Sequence, residues 1–119
     1  MSLVEQFNAY RSRMNDRILG QNHKVTNRFF SLDTQTYQEG PVDTKTKEML
    51  GLVASYVLRC DDCIRYHLGK CHEAGVTSDE IFDILAVGNI VGGSICIPHM
   101  RRAIEYWDVL EQAGDQTVP

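Results

Sequence analysis

Lys45-Thr46-Lys47-Glu48-Met49-Leu50-Gly51-Leu52-Val53-Ala54-Ser55-Tyr56-Val57-Leu58-Arg59-Cys60-Asp61-Asp62-Cys63-Ile64-Arg65-Tyr66-His67 contains two helical patterns in succession. In the first, Met49, Leu52, Val53, Tyr56 and Val57 recur at three- and four-residue steps, which puts them on one face of a helix. The second pattern is expected to run from Arg59 to Ala74, where Gly75 supplies the residue type that most readily adopts the left-handed conformation closing a helix.

Working outward, Val76-Thr77-Ser78-Asp79-Glu80-Ile81 announces the next helix. Thr77 and Glu80 have the spacing of a reciprocal capping box, and Val76 with Ile81 can form the apolar staple around it. Ile81, Ile84, Leu85 and Gly88 supply its buried face, and Gly92-Gly93 breaks the chain. Ser94 is expected to cap a last helix that carries Pro98 early and runs to Gly114, leaving Asp115 to Pro119 as a loose tail. Upstream, Leu3, Val4, Phe7, Tyr10, Met14 and Ile18 form a helical stripe stopped by Gly20. A shorter helical stretch around Val25-Thr26-Asn27-Arg28-Phe29-Phe30 leads to the break at Gly40-Pro41. The β-branched cluster Ile95-Cys96-Ile97 is too short for a strand and is closed by Pro98. The expectation is an all-α bundle of about six helices forming one domain over residues 1–119, with N-terminal helices over about 1–40 and a motif core over about 41–114. Several strongly apolar helices in so short a chain carry more apolar face than one small core can cover, so self-association is expected too.

Composition narrows the function. The 119 residues carry a net charge of −4 and no basic stripe, which argues against a nucleic-acid partner. No run approaches the ~20 apolar residues needed to span a bilayer. Met1-Ser2-Leu3-Val4-Glu5-Gln6 lacks the layout of a signal peptide, so a cytoplasmic, reducing setting is expected. Cys60, Cys63, Cys71 and Cys96 then read poorly as a structural disulfide framework, and a close pair points to catalysis or metal binding.

Cys60 and Cys63 lie three residues apart at the start of a helix, close to one turn, so both thiols can reach disulfide distance. Free amides of a first turn stabilise a thiolate. His67 lies one turn beyond Cys63, where an imidazole can take the thiol proton. Glu48 stands at the margin of the preceding apolar stripe, and antiparallel packing of the two helices would let it orient His67. Cys60, Cys63 and Cys71 strung along one helix cannot converge on a single zinc ion. A capping-box role for Glu48 fails because position 45 is Lys45, which leaves a solvated first-turn acid as the plain alternative.

The combined pattern Glu48-x11-Cys60-x2-Cys63-x3-His67 resembles the core motif of the AhpD-like alkylhydroperoxidase and carboxymuconolactone decarboxylase family. Lys45-Thr46-Lys47-Glu48, His72-Glu73-Ala74-Gly75-Val76-Thr77 and Gly92-Gly93-Ser94 look like its neighbouring landmarks, so the resemblance covers about residues 30 to 112. It implies an all-α fold, a homo-oligomer (a trimer or a hexamer) and peroxide reduction. In that scheme Cys63 attacks the hydroperoxide, Cys60 resolves, and His67 and Glu48 form the proton relay. A dithiol or a lipoyl-bearing adaptor is the implied reductant. No organic cofactor or metal is expected, because the cysteine pair carries both electrons.

One position departs from the family's peroxidases, where a second histidine precedes the attacking cysteine and this chain has Asp62. Acids at Asp61 and Asp62 oppose a nearby thiolate and slow peroxide attack. His99 offers an imidazole from another helix, although a structural role is the plainer reading. The rival readings are a lactone decarboxylase, which does not need the CxxC pair, and a non-enzymatic redox-sensing oligomer. Cys71 is expected to face the core or a subunit contact and Cys96 to serve packing, while His23 and His72 read as surface or interface side chains.

Overall fold

Side-chain caps fix where most of the helices begin. The computed structural model describes residues 1–117, with side chains through position 114. Ser2 and Glu5 form a reciprocal capping box ahead of α1 (Leu3–Gly20). His23 accepts the Thr26 amide to open α2 (Lys24–Thr36), and Asp43 accepts the Thr46 amide to open α3 (Thr44–Val57). Cys60 is the cap of α4 (Asp61–Glu73), and the expected Thr77–Glu80 box opens α5 (Ser78–Gly92). Each cap satisfies an amide that the helix itself cannot.

The last helix starts differently. Ser94 makes no capping hydrogen bond; it opens a 3-10 turn over Ser94–Cys96 that feeds α6 (Ile97–Thr117). The cause is Gly93, whose φ of 86° turns the chain so that the backbone itself closes the turn, Cys96 N–H donating to the Gly93 carbonyl at 3.0 Å. Pro98 falls in the first turn of α6, where its missing N–H costs nothing. That helix passes the expected stop at Gly114 and continues to Thr117; the rest of the anticipated tail lies outside the described residues. Helix α4 begins two residues later than the sequence pattern suggests, because Arg59 takes a φ of 61° and Cys60 an extended conformation.

Four helices build the core: α3 packs on α4 and α5, and α4 packs on α6. Leu52 and Tyr56 of α3, Ile64, Leu68 and Cys71 of α4, Ile81 and Leu85 of α5, and Tyr106 and Trp107 of α6 are all sealed from solvent. The N-terminal helices cover less than their patterns suggest. Helix α1 rests on α6 through an edge-on contact between Phe7 and Tyr106, but Tyr10, Ile18 and Leu19 remain exposed. No residue of α2 is fully buried. Among the described residues, no helix is long and apolar enough to cross a membrane.

The α3–α5 contact depends on a missing side chain. A Cβ at Gly88 would lie 2.5 Å from Cδ2 of Tyr56, a fully buried ring whose hydroxyl donates to Asn89. Gly88→Ala is therefore expected to cost about 1–3 kcal/mol, the usual penalty of overpacking, as a lowered urea midpoint. Gly69→Ala is the control: a Cβ there meets nothing within 4 Å, and helix propensity predicts a gain of up to about 1 kcal/mol.

Candidate active site

The connection between α3 and α4 sets the geometry of the site. Only Leu58, Arg59 and Cys60 separate the two helices, and backbone bonds from Arg59 N–H to the Tyr56 carbonyl and from Cys60 N–H to the Ser55 carbonyl tighten the turn. So short a connection makes the helices antiparallel neighbours. Glu48, near the start of α3, thereby comes level with His67 in α4.

Cys60 and Cys63 are joined in a disulfide with their Cα atoms 5.3 Å apart. Cys60 stands just outside the helix, and its sulfur accepts the Cys63 amide at 3.3 Å. The Cys60 sulfur thus sits at an open amide of a first turn, the place in a helix most favourable to a thiolate.

His67 and Glu48 are buried, at 7 % and 4 % exposure, and His67 Nδ1–H donates to Oε1 of Glu48 at 2.8 Å. The reading of Glu48 as a solvated first-turn acid is overturned: with Asp43 as the cap, Glu48 falls in the second turn and faces inward. A buried carboxylate needs a charged or donating partner, and His67 is that partner.

The other ring nitrogen, Nε2, faces the hydroxyl of Tyr37 at 3.5 Å, with ring centroids 5.4 Å apart. Neither ring nitrogen is hydrogen-bonded to a sulfur; the helical step from Cys63 to His67 brings the two side chains to one cavity, while the bond to Glu48 fixes where the ring points. Tyr37 is the cap just past α2 and belongs to a segment with no sequence signal linking it to the motif. Gly51 is the other residue that spacing does not reveal. A Cβ there would lie 2.6 Å from Cε1 of His67 and 2.8 Å from the Tyr37 hydroxyl, so the two rings meet because α3 has no side chain at that position.

Cys63, Asp62, Tyr66 and His67 line one side of a cavity of about 340 Å³. Phe7, Tyr10, Arg11 and Met14 of α1 line the other, with the Arg11 guanidinium 4.2 Å above the Tyr66 ring. The first helix, undiagnostic in sequence, supplies much of the apolar wall facing the attacking position.

The two acids of the CxxC pair have different surroundings. Asp61 accepts from His99 Nδ1 at 2.7 Å and from Arg102 Nε at 3.0 Å. Burial pushes its carboxyl up, but the bond and charge of His99, followed by Arg102, outweigh that and hold it below the usual aspartate range. The His99 imidazole is thus brought to the start of α4, tethered to an acid rather than aimed at sulfur. Asp62 has no ion-pair partner among the described residues and shares the cavity with Cys63. Of the two, Asp62 is the one whose charge opposes a Cys63 thiolate.

Cys71, His72 and Cys96 do not line the cavity at Cys63. Cys71 is fully buried, and burial, followed by the Glu48 charge, pushes its thiol up to about 12. Cys96 is buried with its sulfur 3.9 Å from the Tyr56 carbonyl. His72 packs nearly perpendicular to the Trp107 ring and pairs with Glu111 at 3.5 Å, tying α4 to α6.

The sequence model of the carboxymuconolactone decarboxylase family matches residues 24–106. The chain belongs to that family. Among solved members, the Thermotoga maritima protein TM1620 is 46 % identical; one of its crystal structures superposes with a TM-score of 0.91 over 94 % of this chain and 98 % of that one. A second crystal structure of TM1620, covering 93 % of this chain and 94 % of its own at a TM-score of 0.89, describes it as a family protein possibly involved in antioxidative response. The apo form of lpg0406, a family member from Legionella pneumophila, shares the fold at 19 % identity and a TM-score of 0.81, over 90 % of this chain and 96 % of its own. An uncharacterized protein of the cox locus of Paracoccus denitrificans is 21 % identical over 89 residues, 75 % of this chain and 80 % of that one. The family match begins at α2, so the cavity wall contributed by α1 lies outside it.

Proposed function

We propose that this family member is a thiol-dependent peroxidase, a dithiol–disulfide oxidoreductase that reduces hydroperoxides through Cys63 and Cys60. The observation that carries this reading is the disulfide at the start of α4 with a buried Glu48–His67 pair beside it and a cavity open at Cys63. The antioxidative role suggested for TM1620 points the same way.

The chemistry balances without a cofactor. His67, oriented by Glu48, takes the proton of Cys63; the thiolate attacks one peroxide oxygen, the O–O bond breaks, and the alcohol leaves with the proton returned by His67. Cys63 is then a sulfenic acid. The Cys60 sulfur attacks it, the S–S bond forms, and water leaves. A dithiol reductant, free or carried on a lipoyl-type arm, exchanges with the disulfide and restores both thiols.

The test is peroxide consumption with a dithiol reductant. Wild type is expected to turn over, Cys63→Ser to be inactive, and Cys60→Ser to stop after one turnover with a sulfenic acid trapped on Cys63. Absence of turnover in a wild-type protein that still cycles its disulfide would reject peroxide reduction and leave dithiol exchange.

The same reading includes a homo-oligomer. Val87, Ile90 and Val91 of α5 are 59 %, 88 % and 69 % exposed, and Val25 and Phe29 of α2 are 70 % and 72 % exposed, an amount of apolar surface that copies of the chain would cover.

A further inference from the structure

Outside the cysteine pair, the feature that the relay leaves unexplained is Tyr37. Its hydroxyl stands at the one free nitrogen of His67, in the position that a Cys63 proton would have to reach.

We propose that Tyr37 is a positioning residue that holds the Nε2 lone pair of His67 while the cysteines are oxidised and yields it to Cys63 once the disulfide is reduced. The inference rests on the relay reading of His67 but adds a residue to it.

The protonation pattern follows from the partners. Glu48 is an acceptor, so Nδ1 of His67 carries the hydrogen and Nε2 of the neutral ring carries the lone pair. Tyr37 must then donate to Nε2. Its phenol is suited to that, because burial first, and next the Glu48 carboxylate, push its ionisation upward and keep the hydroxyl protonated.

The surroundings hold Tyr37 in place. Its own carbonyl accepts the Thr44 hydroxyl at 2.8 Å, and the neighbouring Gln38 carbonyl accepts the Lys47 ammonium at 2.7 Å, so the segment that follows α2 is pinned to the start of α3. Gly51 leaves the space in which the two rings meet. A contact of 3.5 Å is long for a hydrogen bond, which suits a partner that must be released.

The charged and titratable groups facing His67 come from each element around it. They are Glu48 from α3, Asp33 from α2 and Tyr37 just past its end, Arg11 from α1, and Asp62, Cys63 and Tyr66 from α4. Of these, Tyr37 is the group that contacts Nε2. The proton transfer is simple: the Cys63 S–H bond breaks, the Nε2–H bond forms, and the Tyr37 O–H returns to the depression of about 690 Å³ that it lines with Glu48.

Two measurements test this without peroxide, so their failure is distinct from failure of the peroxidase reading. The first is nitrogen NMR of the His67 ring in the oxidised protein: the hydrogen is expected on Nδ1 with Nε2 accepting, and a hydrogen on Nε2 overturns the proposal. The second is the pH profile of Cys63 alkylation in the Cys60→Ser protein, with and without Tyr37→Phe. Loss of a competing donor held by a long contact, worth at most one net hydrogen bond, should speed alkylation near neutral pH by up to about fivefold and move the profile to lower pH. Tyr37→Leu should show the same shift. An unchanged profile, or a slower reaction, would overturn the proposal that Tyr37 holds Nε2, the slower reaction marking Tyr37 as a carrier of the proton.

Discussion

His67→Ala is expected to lower peroxide turnover by a factor of about 10² to 10⁴, the usual contribution of a positioned acid–base group. Cys63 alkylation near neutral pH should slow with it, while His72→Ala leaves both rates near wild type. The contrast is informative because the two histidines share α4 and differ in partners: His67 is bound to buried Glu48, and His72 packs on Trp107. Equal rates in the two variants would remove His67 from the mechanism. The same substitution also strands a carboxylate that is 4 % exposed, and breaking a buried pair from one side costs about 3–5 kcal/mol. Glu48→Gln added to His67→Ala separates the effects. A neutral amide should recover part of the lost stability and none of the lost turnover.

Trp107→Ala should be the most damaging change to stability away from the site. The indole is 1 % exposed, its Nε1–H donates to the Ser78 hydroxyl at 2.9 Å, and it packs nearly perpendicular to the His72 ring with centroids 5.4 Å apart. Removing it opens a cavity between α4, α5 and α6 at a cost of about 3–5 kcal/mol. A domain of this size has about 5–15 kcal/mol in all, so the variant stands close to the limit of folding. Urea denaturation at one fixed protein concentration measures it, since self-association would make the midpoint concentration-dependent. A midpoint within error of wild type would mean that the indole does not anchor the three helices. Because Trp107 lies outside the cavity at Cys63, the variant should keep the wild-type alkylation rate at temperatures where it is folded.

Much of the fold was legible because it is written in local signals. The Thr77–Glu80 capping box, the glycines at 75 and 93 and the apolar steps from Met49 to Val57 act within a few residues of themselves. The errors fell where local signals compete. Ser94 has the right chemistry for a cap, but Gly93 turned the chain into a 3-10 turn first. Arg59 continues a helical pattern, yet its backbone is left-handed because the α3–α4 turn needs it so. The stripe on α1 marks a helix and nothing more; much of it stays in solvent and part lines the cavity.

Local sequence carries the six helices and the CxxC pair at a helix start, and it offers the pairing of Glu48 with His67 on condition that the two helices pack antiparallel, with a solvated Glu48 as the rival. A short turn makes adjacent helices antiparallel, and the spacing then leaves little choice of partner. Tertiary structure alone decided that Tyr37 meets Nε2, that Gly51 makes room for it, that His99 and Arg102 hold Asp61, and that α1 walls the cavity. Those contacts join residues separated by up to about sixty positions in the chain. No period or motif encodes such distances; they exist only once the core of Leu52, Tyr56, Leu68 and Trp107 has brought the helices together.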